Sequence, residues 1–142
     1  MRFIELKICE KVGNVLEECN RICNCDSIQM FLIWMNSEIF ERIIDGDVAL
    51  CSQAKSYIAR AFLTENKEYL EAIQPNMIMS NEILYWSGYL VTYWCLEYQE
   101  TAKGISEKYD IEKIMYSYEV LHSLSIKSAI AKIKEDYLRG GN

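Results

Sequence analysis

The chain of 142 residues has one proline, Pro75, one histidine, His122, and only six glycines. Long loops and β-rich architectures draw on proline and glycine as turn punctuation, so their scarcity points away from both. No apolar run approaches the roughly 20 residues of a membrane span. The most apolar stretch, residues 83–96, is interrupted by Ser87, Gly88, Thr92 and three tyrosines. The first ten residues contain no continuous apolar segment, so no secretory leader is expected. On that reading the six cysteines (Cys9, Cys19, Cys23, Cys25, Cys51, Cys95) are expected to stay reduced in the cytoplasm.

Basic charge is also scarce. The net charge is −6, unevenly spread: −2 over residues 1–60, −6 over residues 61–126 and +2 from Lys127 onward. A domain of this sign without a basic stripe is not expected to bind nucleic acid. Acidity suits a basic protein partner, and it equally serves solubility. Glycine-rich phosphate loops, GxGxxG or GxxxxGK[ST], are absent. Asp45-Gly46-Asp47 lacks the later glutamate of a calcium loop. The paired acids Glu17-Glu18 and Glu135-Asp136 read as solvated helix faces.

What is present is helical periodicity. Ile4, Ile8, Val12, Val15, Leu16, Cys19, Ile22 and Cys23 recur at spacings of three and four, predicting a first helix over residues 3–24. Asp26 or Ser27 caps the next, Asn36-Ser37 restarts it, and Gly46 suits the left-handed position that ends a helix. Asp47 begins a helix running to Phe62, followed by a short piece over residues 67–73 that Pro75 ends. Met77 and Met79 fall in a connector, as partner surface or as core. Ser80 or Asn81 opens a helix over residues 82–100, and Thr101, Asp110 and Ser125 open three more, over residues 102–109, 111–120 and 126–138. Gly140 and Gly141 are expected to terminate the fold. About half the residues are apolar, enough to form a core without staples. The expected fold is all-α, an irregular bundle of seven or eight short-to-medium helices forming one domain over residues 1–142.

The aromatic helix is the most distinctive element. Tyr85, Tyr89 and Tyr93 share one i, i+4 row, while Trp86, Leu90, Trp94 and Tyr98 form the row beside it. Two readings apply: the helix is the central post of the fold, or its tyrosine row and Trp94 anchor an interface, where large rings bring contact area at little entropic cost. Gly88 would let another backbone come close.

Chemistry is harder to find. Cys19-x3-Cys23-x-Cys25 supplies too few thiolates for zinc and no second pair closes the site, so no metal and no cofactor is expected. A nucleophilic cysteine needs a base, and only His122 is on offer. A Cys/His enzyme is therefore an alternative. A DNA-binding regulator is another, with residues 127–139 and their Lys127, Lys132, Lys134 and Arg139 as its recognition helix.

At Tyr85-Trp86-Ser87-Gly88-Tyr89, with Tyr93-Trp94 following and Leu121-His122-Ser123-Leu124 before Ala129-Ile130, the chain resembles a group of small bacterial and prophage proteins. These share a Tyr-Trp-x-Gly-Tyr helix and a Leu/Tyr-His-x-Leu turn, and are carried near toxin-like or defence-related genes. The resemblance covers residues 83–133; the first 80 share only helicity. It implies a genomic context and carries over no catalytic residue. Together these readings favour a non-enzymatic inhibitor that neutralises a partner protein by contact. An antitoxin, or a phage-borne, anti-CRISPR-type inhibitor of a defence nuclease, fits, with a homodimer as a further expectation.

Overall fold

A computed structural model describes residues 1–140, which are all-α and form one bundle; no strand occurs among them. The elements are α1 (Phe3–Ile22), α2 (Ser27–Met35), α3 (Glu38–Ile44), α4 (Val48–Cys51), α5 (Lys55–Glu65), α6 (Lys67–Glu71), α7 (Asn81–Tyr98), α8 (Ala102–Lys108), α9 (Ile111–Tyr116), α10 (Tyr118–Leu121) and α11 (Ile126–Leu138). Gly141 lies outside the described residues, so its expected role as a terminator has no structural counterpart.

Most helix starts follow the cap chemistry. Asp26, Ser37, Asp47, Ser80, Thr101, Asp110 and Ser125 each accept from a free N–H of the turn they open. Gly46 adopts φ +83° after α3, as expected. The helix count of eleven among the described residues exceeds the expected seven or eight, because the restart at Asn36-Ser37 makes α2 and α3 separate helices and two long segments are broken. Residues 48–62 divide into α4 and α5, and residues 111–120 into α9 and α10. A polar side chain sits at each break and bonds back to a carbonyl of the preceding turn: Ser52 Oγ donates to Ala49 O, and Ser117 Oγ to Ile114 O. Asn66 Nδ2 does the same to Phe62 O between α5 and α6. Such local bonds compete with the helical ladder.

α1 and α7 form the axis of the bundle, with α5 also packed on α1. They run antiparallel, since Asn20 meets Asn81 at one end of the contact and Gly13 meets Gly88 further along. The core on one side centres on Trp34, whose ring lies 5.1 Å from Phe40 and 5.1 Å edge-on from Phe62. On the other, Tyr109 packs between Trp94 (5.0 Å) and Tyr137 (4.9 Å), docking α11 and the loop after α8 against α7.

A buried polar knot closes the corner between α1 and α2. Asn20 donates through Nδ2 to Met79 O and Asn81 Oδ1 (3.0 and 2.8 Å), and accepts through Oδ1 from Ser27 Oγ (2.7 Å). Ser27 Oγ in turn accepts from Met79 N–H at 2.9 Å, and Asp26 Oδ2 from Met77 N–H at 3.2 Å. The connector before α7 is thereby held to the α1–α2 corner. It splits the two methionines: Met77 is exposed, while Met79 is core.

Candidate functional site

α7 is amphipathic in an unusual sense, because both of its rows are aromatic. Ser87, Leu90, Val91, Trp94 and Cys95 are buried, and Trp86 sits edge-on to Tyr118 at 5.7 Å. Tyr85, Tyr89 and Tyr93 are half-buried along the margin where α7 meets α1. The Tyr85 and Tyr89 rings lie 6.3 Å apart, tilted by 34°. Tyr85 is laid across Gly13, where a Cβ would come within 2.8 Å of its ring. Among the described residues, none of the three phenol hydroxyls is hydrogen-bonded to the chain itself.

The surrounding charge is acidic. Burial raises the Tyr85 phenol pKa, and the carboxylates of Glu10 and Glu17 add to it. Tyr89 is raised by burial, with Cys9 and Glu10 contributing, and Tyr93 by burial and then Glu97. The phenols are therefore firmly protonated at neutral pH, each with an O–H to donate. Glu10 pairs with Lys7 at 3.3 Å and Glu17 with Arg21 at 3.5 Å, both in exposed i, i+3 or i, i+4 geometry worth little to stability. The result is a strip of tyrosines bordered by carboxylates.

Trp94 does not share that strip. It is fully buried, its Nε1 donates to Glu100 Oε2 at 3.0 Å, and Lys134 Nζ lies 5.4 Å from its ring centre. Lys134 also pairs with Glu100 at 3.0 Å and sits 4.1 Å over the Tyr98 ring. The expected placement of Trp94 on a binding surface is corrected accordingly: its indole belongs to the core. The i, i+4 periodicity separated the two rows correctly, with Trp94 in the buried row of Trp86 and Leu90; the interface reading wrongly joined it to the tyrosines.

Sequence reasoning missed a second feature. A groove of about 540 Å³ runs between the start of α1 and the α3–α4 turn, lined by Ile4, Ile8, Ile44, Val48 and Leu96. It is continuous with a cleft of about 600 Å³ beside Phe40, Asp45 and Gln99, since Ile44, Asp45 and Leu96 line both. Val48 is 79% exposed and Ile4 63%. Helical periodicity assigns Ile4 and Val48 to the core, and only the tertiary arrangement shows them at its open end.

The chemical candidates are dispersed. His122 is exposed, its Nδ1 lies 2.7 Å from Tyr118 O, and its ring stacks on Tyr118 at 4.4 Å. No hydrogen bond joins it to a thiol among the described residues. Burial pushes the thiols of Cys9 and Cys95 up to about 12 and raises Cys19 further still. Among the described residues no group of three histidine, cysteine or acidic side chains is arranged to hold a metal ion. Of the four bases in residues 127–139, three are paired within the chain: Lys132 with Asp136, Lys134 with Glu100, and Arg139, just past α11, with Glu135. Among the described residues, no helix is long and apolar enough to cross a membrane. Compared with protein-family models, curated proteins and solved structures, the chain matches none.

Proposed function

We propose that this chain is a non-enzymatic inhibitor that neutralises a basic partner protein by stoichiometric contact through the Tyr85–Tyr89–Tyr93 strip. The carrying observation is that three half-buried tyrosines, in one row on a rigid helix, keep hydroxyls that no group among the described residues uses. Rigid rings with a free donor are the residue type that interfaces favour. The bordering carboxylates and the net charge of −6 supply the complementary sign.

A nuclease presents a basic surface to its substrate, so an acidic protein of this size can occlude it. The resemblance to prophage proteins carried near toxin-like and defence genes supports a toxin or a defence nuclease as that partner, met in the cytoplasm. In this reading α1 is the scaffold that holds the tyrosines, and the pairing of three of the four bases of residues 127–139 inside the chain leaves nucleic acid without a cationic face there.

The test is a pull-down with the tagged full chain from bacterial lysate, with neighbouring gene products co-expressed. The wild type is to be compared with Tyr89→Ala/Tyr93→Ala. The proposal expects one stoichiometric partner retained by the wild type and released by the variant. It also expects affinity to fall steeply between low and high salt. A partner held equally by the variant, or no partner at low salt, contradicts it.

A further inference from the structure

We infer that Cys23 and Cys25 form a thiol–disulfide exchange site, whose substrate class is a low-molecular-mass disulfide and whose product is an intramolecular Cys23–Cys25 bond. This inference is independent of the partner proposed above. α1 ends at Ile22, and the Cys23 N–H closes its last turn on Cys19 O at 2.8 Å. The chain then turns at once: the Cys25 N–H donates to Cys23 O at 2.9 Å, a three-residue turn about Asn24. That turn brings the two side chains to one side, and their sulfurs lie 2.6 Å apart.

The pair differs from the other cysteines. Cys19 Sγ is directed at Ala59 O and Cys51 Sγ at Ile43 O, whereas Cys23 and Cys25 have each other. Cys23 is half-buried and lines an open cleft with Asn24, Leu63, Lys67 and Glu71. Cys25 lines the same cleft but is buried, 4% exposed. Burial is the chief reason its thiol is pushed up to about 12, with the contact to Cys23 adding. Access decides which sulfur an incoming disulfide meets, so Cys23 attacks first.

The exchange runs in two steps. Cys23 loses its proton and its sulfur attacks one sulfur of the incoming disulfide; that S–S bond breaks, and the departing thiolate takes up a proton. Cys25 then loses its proton and attacks Cys23 Sγ, displacing the second small thiol, which is likewise protonated. The protein is oxidised by two electrons and one small disulfide is reduced to two thiols. Closure of so short a loop needs no movement of either helix, because the turn about Asn24 already exists.

Glutathione disulfide is the probe. Reduced, folded full-length protein is incubated with it, quenched in acid, blocked with a maleimide in denaturant and digested with trypsin. Cleavage after Arg21 and Arg42 isolates Cys23 and Cys25 together in peptide 22–42, while Cys19 falls in peptide 12–21. The expected product is peptide 22–42 lighter by two hydrogens and free of maleimide, with peptide 12–21 fully blocked. Cys25→Ser is expected to stop at a glutathione adduct on Cys23, and denaturant present during oxidation is expected to slow closure. Peptide 22–42 carrying two maleimides, a stable glutathione adduct on the wild type, or peptides 12–21 and 22–42 joined through Cys19 would each overturn the assignment.

Discussion

Gly13 of α1 and Gly88 of α7 face each other across the axis of the bundle, so closely that a Cβ on Gly88 would lie 3.5 Å from the Gly13 Cα and 2.5 Å from Leu16 Cδ1. The contact lets Tyr85 lie flat over α1 and fixes the margin from which the tyrosine row emerges. Gly88→Ala gains the intrinsic helix preference of alanine, about 1 kcal/mol, but must displace the Leu16 side chain in a filled core. Gly13→Ala meets the Tyr85 ring at 2.8 Å and, harder to move, the Tyr85 carbonyl oxygen at 3.0 Å. Both variants are expected to be destabilised, Gly13→Ala by about 1–3 kcal/mol in urea unfolding. An unchanged midpoint for Gly13→Ala would show that the crossing is looser than the structure has it.

The knot at Asn20 predicts a second effect. Asn20→Leu keeps the branching at Cγ, adds volume, and strands Ser27 Oγ, Met79 O and Asn81 Oδ1, three groups that Asn20 now satisfies. Loss of about 1–3 kcal/mol is expected, measured by thermal unfolding. Faster proteolysis within residues 74–80 should accompany it, since this knot holds the connector. Loss of stability with the connector still protected would separate the knot from the clamp.

Gln99 ends α7 in the left-handed conformation at φ 54°, a position where a Cβ costs roughly 1–2 kcal/mol. Gln99→Gly is therefore expected to raise stability by about 1 kcal/mol. Its exposed side chain makes no hydrogen bond among the described residues that the change removes. A lower Tm would mean that the amide contributes something the geometry does not show.

These elements also mark how far the sequence could be read. The caps are local chemistry: an aspartate, serine or threonine before an apolar periodic run states its role in four residues, so Asp47, Thr101, Asp110 and Ser125 were legible singly, and Asp26, Ser37 and Ser80 each as one of an adjacent pair. The breaks at Ser52 and Ser117 were not, because mid-helix serine is tolerated as often as it interrupts. Gln99 carried no signal, since glycine or asparagine marks that position in most helices. Asn20 was hidden because two of its three partners, Met79 and Asn81, lie about 60 residues away, and no periodicity reports a hydrogen bond of that range. The tyrosine row was visible by its spacing; what could not be seen was which neighbour covers which row. Trp94 was misplaced for that reason, α11 and its Lys134 being what seals it.

Glu100 predicts the acid response. Burial opposes its charge most strongly, but the hydrogen bonds from Lys134 and Trp94, with the lysine charge, outweigh burial and leave its carboxyl below the ordinary range. A depressed folded pKa contributes stability above the unfolded value, about 4.3, and loses it as pH falls through the folded one. The Tm gap between the wild type and Glu100→Gln is expected at pH 7 and should close on acidification below that value. A gap that widens in acid would reverse the sign and contradict the ion-pair account of how α11 docks.

The central claim is that the tyrosine strip binds a basic protein. Its most direct measurement is the affinity of the captured partner for the wild type and for Tyr89→Ala/Tyr93→Ala, by calorimetry at two salt concentrations, with circular dichroism to verify that the variant is folded. The account predicts a one-to-one complex, at least about tenfold weaker for the folded variant, a loss of about 1.4 kcal/mol, and weaker for the wild type at high salt. Equal affinities for a folded variant, with no response to salt, would place the interface elsewhere on the molecule and contradict the account.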